Sequence, residues 1–172
     1  MKIAVIGKGG REQALVETLA ASPGKPEIYT YPGSDAICLT ATKIEVAGFD
    51  ELIAWMVDNK VDLCVAGEES YLVYGDGLAN RCAAVGIPCW GPRKESAQLE
   101  ASKEFAKEFL MRHSIPTGLA TAVDSYEGAK AAIAGKYPTV LKFDGLAAGK
   151  GVAVCPDEAA AEEFLQEVFV QK

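Results

Sequence analysis

The chain has 172 residues, 49% of them hydrophobic and 24% charged, which suits one large soluble domain or two small ones. Its net charge of -7, with no basic stripe to offset it, excludes a general role on nucleic acid. The single histidine, His113, excludes a histidine-rich metal site and argues against a Ser-His-Asp triad, and Cys38, Cys64, Cys82, Cys89 and Cys155 contain no CxxC pair and read as reduced core thiols.

Met1 to Ile6 is too short an apolar run for a signal peptide, and no later stretch spans a membrane, so the expected location is cytoplasmic. Strand one is read at Lys2 to Ile6, followed by the glycine turn Gly7-Lys8-Gly9-Gly10 and a helix whose apolar face carries Ala14, Leu15, Thr18 and Leu19. Pro26 to Tyr31 reads as strand two, Phe49 to Asn59 as a helix, and Val61 to Ala66 as a buried strand broken by Gly67. A helix from Val73 to Val85 ends at Gly86, and a short strand Ile87 to Trp90 stops at Gly91-Pro92. Short apolar strands alternating with helices predict an α/β fold, a doubly wound parallel sheet over residues 1 to 92. Residues 93 to 117, mostly helical through His113, form a connector. Residues 118 to 172 then give a strand at Leu119 to Val123, a helix at Ser125 to Ala134, strands at Thr139 to Phe143 and Gly151 to Cys155, and a helix at Asp157 to Val170 capped by the aspartate. That last unit is small for an independent core, which suggests a piece of something longer.

Three segments carry chemistry. The run Lys142-Phe143-Asp144-Gly145-Leu146-Ala147-Ala148-Gly149-Lys150-Gly151-Val152 joins two apolar strands through glycines, small residues and lysines, the makings of a nucleotide phosphate loop or of a glycine-rich hairpin turn. It is not a Walker loop, because it enters a strand and not a helix. Lys142 ends an apolar strand, and a lysine entering a sheet interior needs an anionic partner. By contrast, Lys103 reads from composition alone as an ordinary solvated helix lysine. The turn Gly7 to Glu12 lacks the third glycine of a dinucleotide fingerprint, so it reads as a single-phosphate site at a helix start, with Lys8 or Arg11 beside it, or as a tight turn only. Glu68 and Glu69 follow a buried strand on the same sheet edge and suit ribose hydroxyls, or equally the acidic first turn of the next helix.

Taken together, Gly7 to Leu15, Gly67-Glu68-Glu69, Gly91-Pro92, Gln98 to Lys103 and Lys142 to Val152 resemble the phosphoribosylamine-glycine ligase family, in family order along the whole chain. The resemblance implies a phosphoribosyl-binding pre-ATP-grasp domain, the helical connector, and a first, incomplete ATP-grasp α+β subdomain. It implies that Gly9, Gly10, Arg11, Glu12 and Glu69 bind phosphoribosylamine. It places ATP on Lys103, Lys142 and the loop Gly145, Leu146, Ala147, Ala148, Gly149, Lys150 and Gly151. Magnesium is expected with its ligands in a C-terminal half outside these residues, and the whole protein is expected to be a monomer acting on glycine, phosphoribosylamine and ATP, with this portion inactive alone. The sequence departs from the family pattern at Gln13, where histidine is usual, and at Glu68 to Leu72, where the family carries Pro-Glu-Ala-Pro-Leu. Another ATP-grasp ligase or carboxylase subunit, and a non-catalytic phosphoribosyl-binding module, are the alternative readings.

Overall fold

The first strand sets the architecture. In the computed structural model, which describes residues 1–146 and 151–170, β1 (Lys2–Gly7) is covered on both sides. Ala4 and Ile6 face one hydrophobic cluster and Ile3 and Val5 another, the period-two alternation of a strand inside a doubly covered sheet. After it come α1 (Gly10–Ala20), β2 (Glu27–Pro32), a 3₁₀ turn (Ile37–Leu39), β3 (Thr42–Lys43), α2 (Phe49–Asp58), β4 (Leu63–Ala66), α3 (Ser70–Val73), α4 (Leu78–Ala84) and β5 (Cys89–Trp90). Every pairing in this sheet is parallel and the strand order is β3-β2-β1-β4-β5.

Leu52 and Met56 of α2 and Leu78 and Cys82 of α4 pack on one face of the sheet, while Val16 of α1 and Ile37 pack on the other. This is the expected doubly wound sheet. The chain winds outward from β1 to β3 and then, from β4, in the opposite direction, so the order reverses between β1 and β4. A crevice at the carboxyl ends of those two strands is where such sheets take ligands.

Three expectations are corrected. The buried stripe of α1 runs through Glu12 and Val16, with Leu15 and Leu19 partly covered, whereas Ala14 and Thr18 are exposed; a glutamate occupies a core position of that helix. The helix expected from Val73 to Val85 is split, because Gly75 and Gly77 adopt φ of 56° and 72° and a Cβ on Gly77 would stand 2.7 Å from the Leu72 carbonyl oxygen. Leu119 to Val123 is not a strand. Its residues are exposed, and among the described residues no neighbouring strand takes up its backbone donors and acceptors.

The chain divides into two compact units, Met1–Ala97 and Gln98–Lys172, within α5 (Lys94–Ala101). In the second unit α6 (Lys103–Arg112) and α7 (Tyr126–Ile133) precede the antiparallel hairpin of β6 (Thr139–Lys142) and β7 (Val152–Cys155), and α8 (Glu158–Phe169) follows. The expected aspartate cap is present: Asp157 Oδ1 accepts the Ala160 amide at 3.0 Å. No described helix is long and apolar enough to cross a membrane.

Four polar side chains tie α7 to α8. Glu162 accepts from the Gln166 amide at 2.9 Å and from the Tyr126 hydroxyl, and lies 3.1 Å from the Lys130 ammonium. The hydrogen bond from Gln166, then those from Tyr126 and Lys130, draw the Glu162 carboxyl from its ordinary 4.5 down to about 2. A depressed carboxyl pKa adds stability above the unfolded value, which is lost as pH falls toward the folded one. Thermal melting from neutral pH downward should therefore fall more steeply below pH 4.5 in the wild type than in Glu162→Gln; parallel curves would remove the linkage.

Candidate active site

Two loops meet where the strand order reverses. Gly7 at the end of β1 is followed by Lys8 and Gly9 and by the start of α1, and β4 runs into Gly67-Glu68-Glu69. The Gly67 and Glu68 amides both donate to the Ile6 carbonyl, at 2.9 and 3.3 Å, which holds the second loop against the first strand. Gln13 is the first α1 residue to find a helical acceptor, the Gly9 carbonyl at 3.1 Å. The amides of Gly10, Arg11 and Glu12 therefore point out of the helix start, the arrangement that receives an anion.

The glycines of this crevice fall into two kinds. A Cβ on Gly67 would stand 2.3 Å from Glu12 Cγ, and one on Gly7, at φ 140°, 2.6 Å from the same atom, so these two make room for the buried Glu12 side chain. Gly10 would meet nothing within 4 Å, so its bareness serves no packing need of the chain and leaves the helix start open to a ligand. Glu12, expected among the substrate contacts, is instead 4% exposed and turned inward, its Oε2 accepting the Gly9 amide at 2.6 Å. It braces the turn from beneath.

Arg11 spans the two loops. Its Nη1 donates to the Gly67 carbonyl at 2.9 Å and to Glu69 Oε2 at 3.1 Å. With 66% and 46% of the two side chains exposed, the ion pair is worth about 0–1 kcal/mol to folding. That is too little to lock either group, and both remain available at the crevice mouth. Beside it, a depression of about 380 Å³ is lined by Ala66, Leu72, Trp90, Gly91 and Pro92.

In the second unit, Asp144 organises a second glycine turn, a role sequence reasoning missed. Its carboxylate accepts the Ser102 hydroxyl at 3.0 Å, the Glu104 amide at 3.3 Å and the Lys103 amide, capping the start of α6. Lys103, far from being a plain solvated lysine, donates its ammonium to the Gly145 carbonyl at 2.9 Å. Lys103 and Gly145, expected to serve one ligand, are thus brought together. A signal was present in the chain: Ser102 lies three residues before Phe105, whose amide it caps at 3.0 Å, and Asp144 stands next to glycine two residues after a strand.

Lys142 corrects an expectation. It is not in a sheet interior but on the exposed face of the hairpin with Val140, Val152 and Val154, paired in register with Val152. The hairpin closes through the Phe143 amide on the Gly151 carbonyl at 2.8 Å; Leu146 precedes the segment 147–150, so the calls on Ala147, Ala148, Gly149 and Lys150 lie outside the described residues.

An open helix start on a doubly wound sheet, followed by a helix whose Lys103 is tied to Gly145, fits the first part of an ATP-grasp protein. Two solved structures share this fold. A phosphoribosylamine–glycine ligase from Thermotoga maritima matches with a TM-score of 0.73 and 25% identity over 97% of this chain and 38% of its own. A biotin carboxylase domain from Hydrogenobacter thermophilus matches at 0.71 with 20% identity over 96% of this chain and 39% of its own, a likeness of fold alone. The model of the phosphoribosylglycinamide synthetase N domain matches residues 1–100 and that of the synthetase's ATP-grasp (A) domain residues 101–172. The chain belongs to the phosphoribosylglycinamide synthetase family. A phosphoribosylamine–glycine ligase of Caulobacter vibrioides is 41% identical over 98% of the chain, and the chain spans about two fifths of the length of such relatives.

The sorting of the glycines is directly testable. Gly67→Ala forces a methyl into Glu12 and should destabilise the chain by roughly 1–3 kcal/mol in thermal or urea melting, as overpacking does. Gly10→Ala should melt no lower than wild type. Equal losses at the two positions would contradict the assignment.

Proposed function

We propose that this chain forms the phosphoribosyl-binding unit and the first part of the ATP-binding unit of an enzyme that joins glycine to 5-phosphoribosylamine. ATP phosphorylates the glycine carboxylate, the amine of phosphoribosylamine attacks the acyl phosphate, and glycinamide ribonucleotide, ADP and phosphate leave. The observation that carries this reading is the open helix start at Gly10, unencumbered by the protein's own atoms and set in the crevice where the strand order reverses. Family membership supplies the reaction class.

In this reading the amides of Gly10 and Arg11, with the Gly9 turn, take the 5-phosphate, and the Arg11 guanidinium adds charge to it. The exposed Glu69 accepts hydrogen bonds from the ribose hydroxyls. Glu12 acts one step back, by holding Gly9. The side chains at three of the departing positions are engaged elsewhere, Gln13 with Glu17 at 3.0 Å and Ser70 with Glu68 at 2.7 Å.

On the second unit, Lys103 and Lys142 take ATP phosphates, with Gly145 held against Lys103. An exposed valine face carrying one lysine suits a nucleotide, with apolar surface for a base and an ammonium for its phosphates. Positioning and charge neutralisation then do most of the catalytic work. Magnesium, the usual partner of such phosphates, has no fitting set among the described residues. Asp144 is taken up by the donors at the start of α6, and no three carboxylates converge.

A fusion of this chain to the remaining part of the Caulobacter vibrioides ligase tests the proposal through phosphate release. Release should require both glycine and phosphoribosylamine. Arg11→Ala should raise the KM for phosphoribosylamine about tenfold, the equivalent of about 1.4 kcal/mol, while the KM for ATP stays put. Release that ignores glycine, or an Arg11→Ala effect falling equally on ATP, would contradict it.

A further inference from the structure

Three of the five cysteines converge on one point of the first unit. Cys64 lies in β4 and Cys89 opens β5, where they are register partners on neighbouring parallel strands, so both side chains leave the same face of the sheet. Cys82 comes from α4, the helix packed on that face. The three sulfurs lie within 4.8 Å of one another, Cys64 and Cys82 fully buried and Cys89 half-buried, all as free thiols.

Buried thiols often act simply as small hydrophobic groups. Two further features set this trio apart. Three sulfurs each about 2.3 Å from a central atom stand about 4 Å apart, so the trio needs little adjustment to embrace one. A cleft of about 340 Å³, lined by Ala79, Ala83, Ile87, Gly91 and Arg93 among others, opens onto Cys89, giving a path inward to an otherwise closed cluster.

The surroundings select the kind of centre. Met56, Leu72, Ala79 and Ile87 share the hydrophobic cluster with these thiols. Three thiolates around a monovalent or divalent ion would leave net negative charge there, which is costly to bury. A trivalent centre forming three sulfur bonds leaves none. We propose that Cys64, Cys82 and Cys89 form a trithiol site for an uncharged trivalent metalloid hydroxide, of which arsenous acid is the probe. The reaction As(OH)₃ + 3 R–SH → As(SR)₃ + 3 H₂O breaks three S–H and three As–O bonds, forms three As–S bonds, releases three waters and transfers no electrons. Cys89 attacks the arsenic first, because it faces the cleft.

The test is native mass spectrometry of the full chain incubated with arsenite in excess monothiol, followed by alkylation mapping. One arsenic should be retained with loss of three hydrogens, and arsenite should shield the half-buried Cys89 from alkylation while the half-buried Cys38 still reacts. Cys89→Ala and Cys82→Ala should each weaken retention at least tenfold, and Cys38→Ala should leave it unchanged. Should Cys82→Ala fail to fold, as judged by circular dichroism, the half-buried Cys89→Ser carries the same comparison. Loss of arsenic to the monothiol, retention unaltered in both Cys89 variants, shielding of Cys38 in place of Cys89, or displacement of arsenic by equimolar zinc would overturn the proposal.

Discussion

Glu12 holds the first crevice in shape. Its methylene and carboxylate fill the space that a Cβ on Gly7 or Gly67 would need, and one oxygen takes the Gly9 amide. Gly7 ends the central strand and Gly67 follows its neighbour, so one buried side chain sets the spacing of both loops at the reversal of strand order. A carboxylate is tolerated there because it is hydrogen-bonded to backbone N–H at a helix start, where the dipole favours negative charge. Its charge is spent beneath the turn, and the amides above it stay turned outward. Arg11, bonded to the Gly67 carbonyl, keeps a cation at the rim.

The second unit repeats this device with different parts. Asp144 gathers the Ser102 hydroxyl and the first amides of α6, and this fixes the glycine turn after β6 to the helix that carries Lys103. In both units an acid at a helix start is used up on the backbone, and the neighbouring cation is aimed at a loop carbonyl. Anion binding then needs no rearrangement of the acid. The Glu12 and Asp144 carboxylates are structural, each taken up by backbone amides.

Much of the sheet was legible because β1 and β4 are apolar runs bounded by glycine, and because α2 shows clean helical spacing. The elements that were not legible have identifiable causes. β3 has two residues, too few for any periodic signal. The Leu119 to Val123 segment is apolar enough for a strand, yet pairing with a neighbour decides strands, and none is at hand among the described residues. Gly9, Gly10, Arg11 and Glu69 were implied by the family resemblance, and the structure brings Arg11 at the helix start onto the Gly67 carbonyl and Glu69. Glu12 was assigned outward, because a charged residue is not expected on a buried stripe; only the glycines across from it, at Gly7 and Gly67, reveal the vacancy it fills. Asp144 was overlooked because its partners in α6 lie about forty residues upstream, beyond any local pattern.

The central claim is that the bare helix start after β1 receives a sugar phosphate, and an amide-resolved NMR titration of this chain with ribose 5-phosphate tests it most directly. The account predicts saturable shifts concentrated at the Gly9, Gly10 and Arg11 amides, weakened by salt, with the Gly145 turn unmoved. Shifts spread without saturation, or centred on the Gly145 turn while the Gly10 amide stays still, would contradict it.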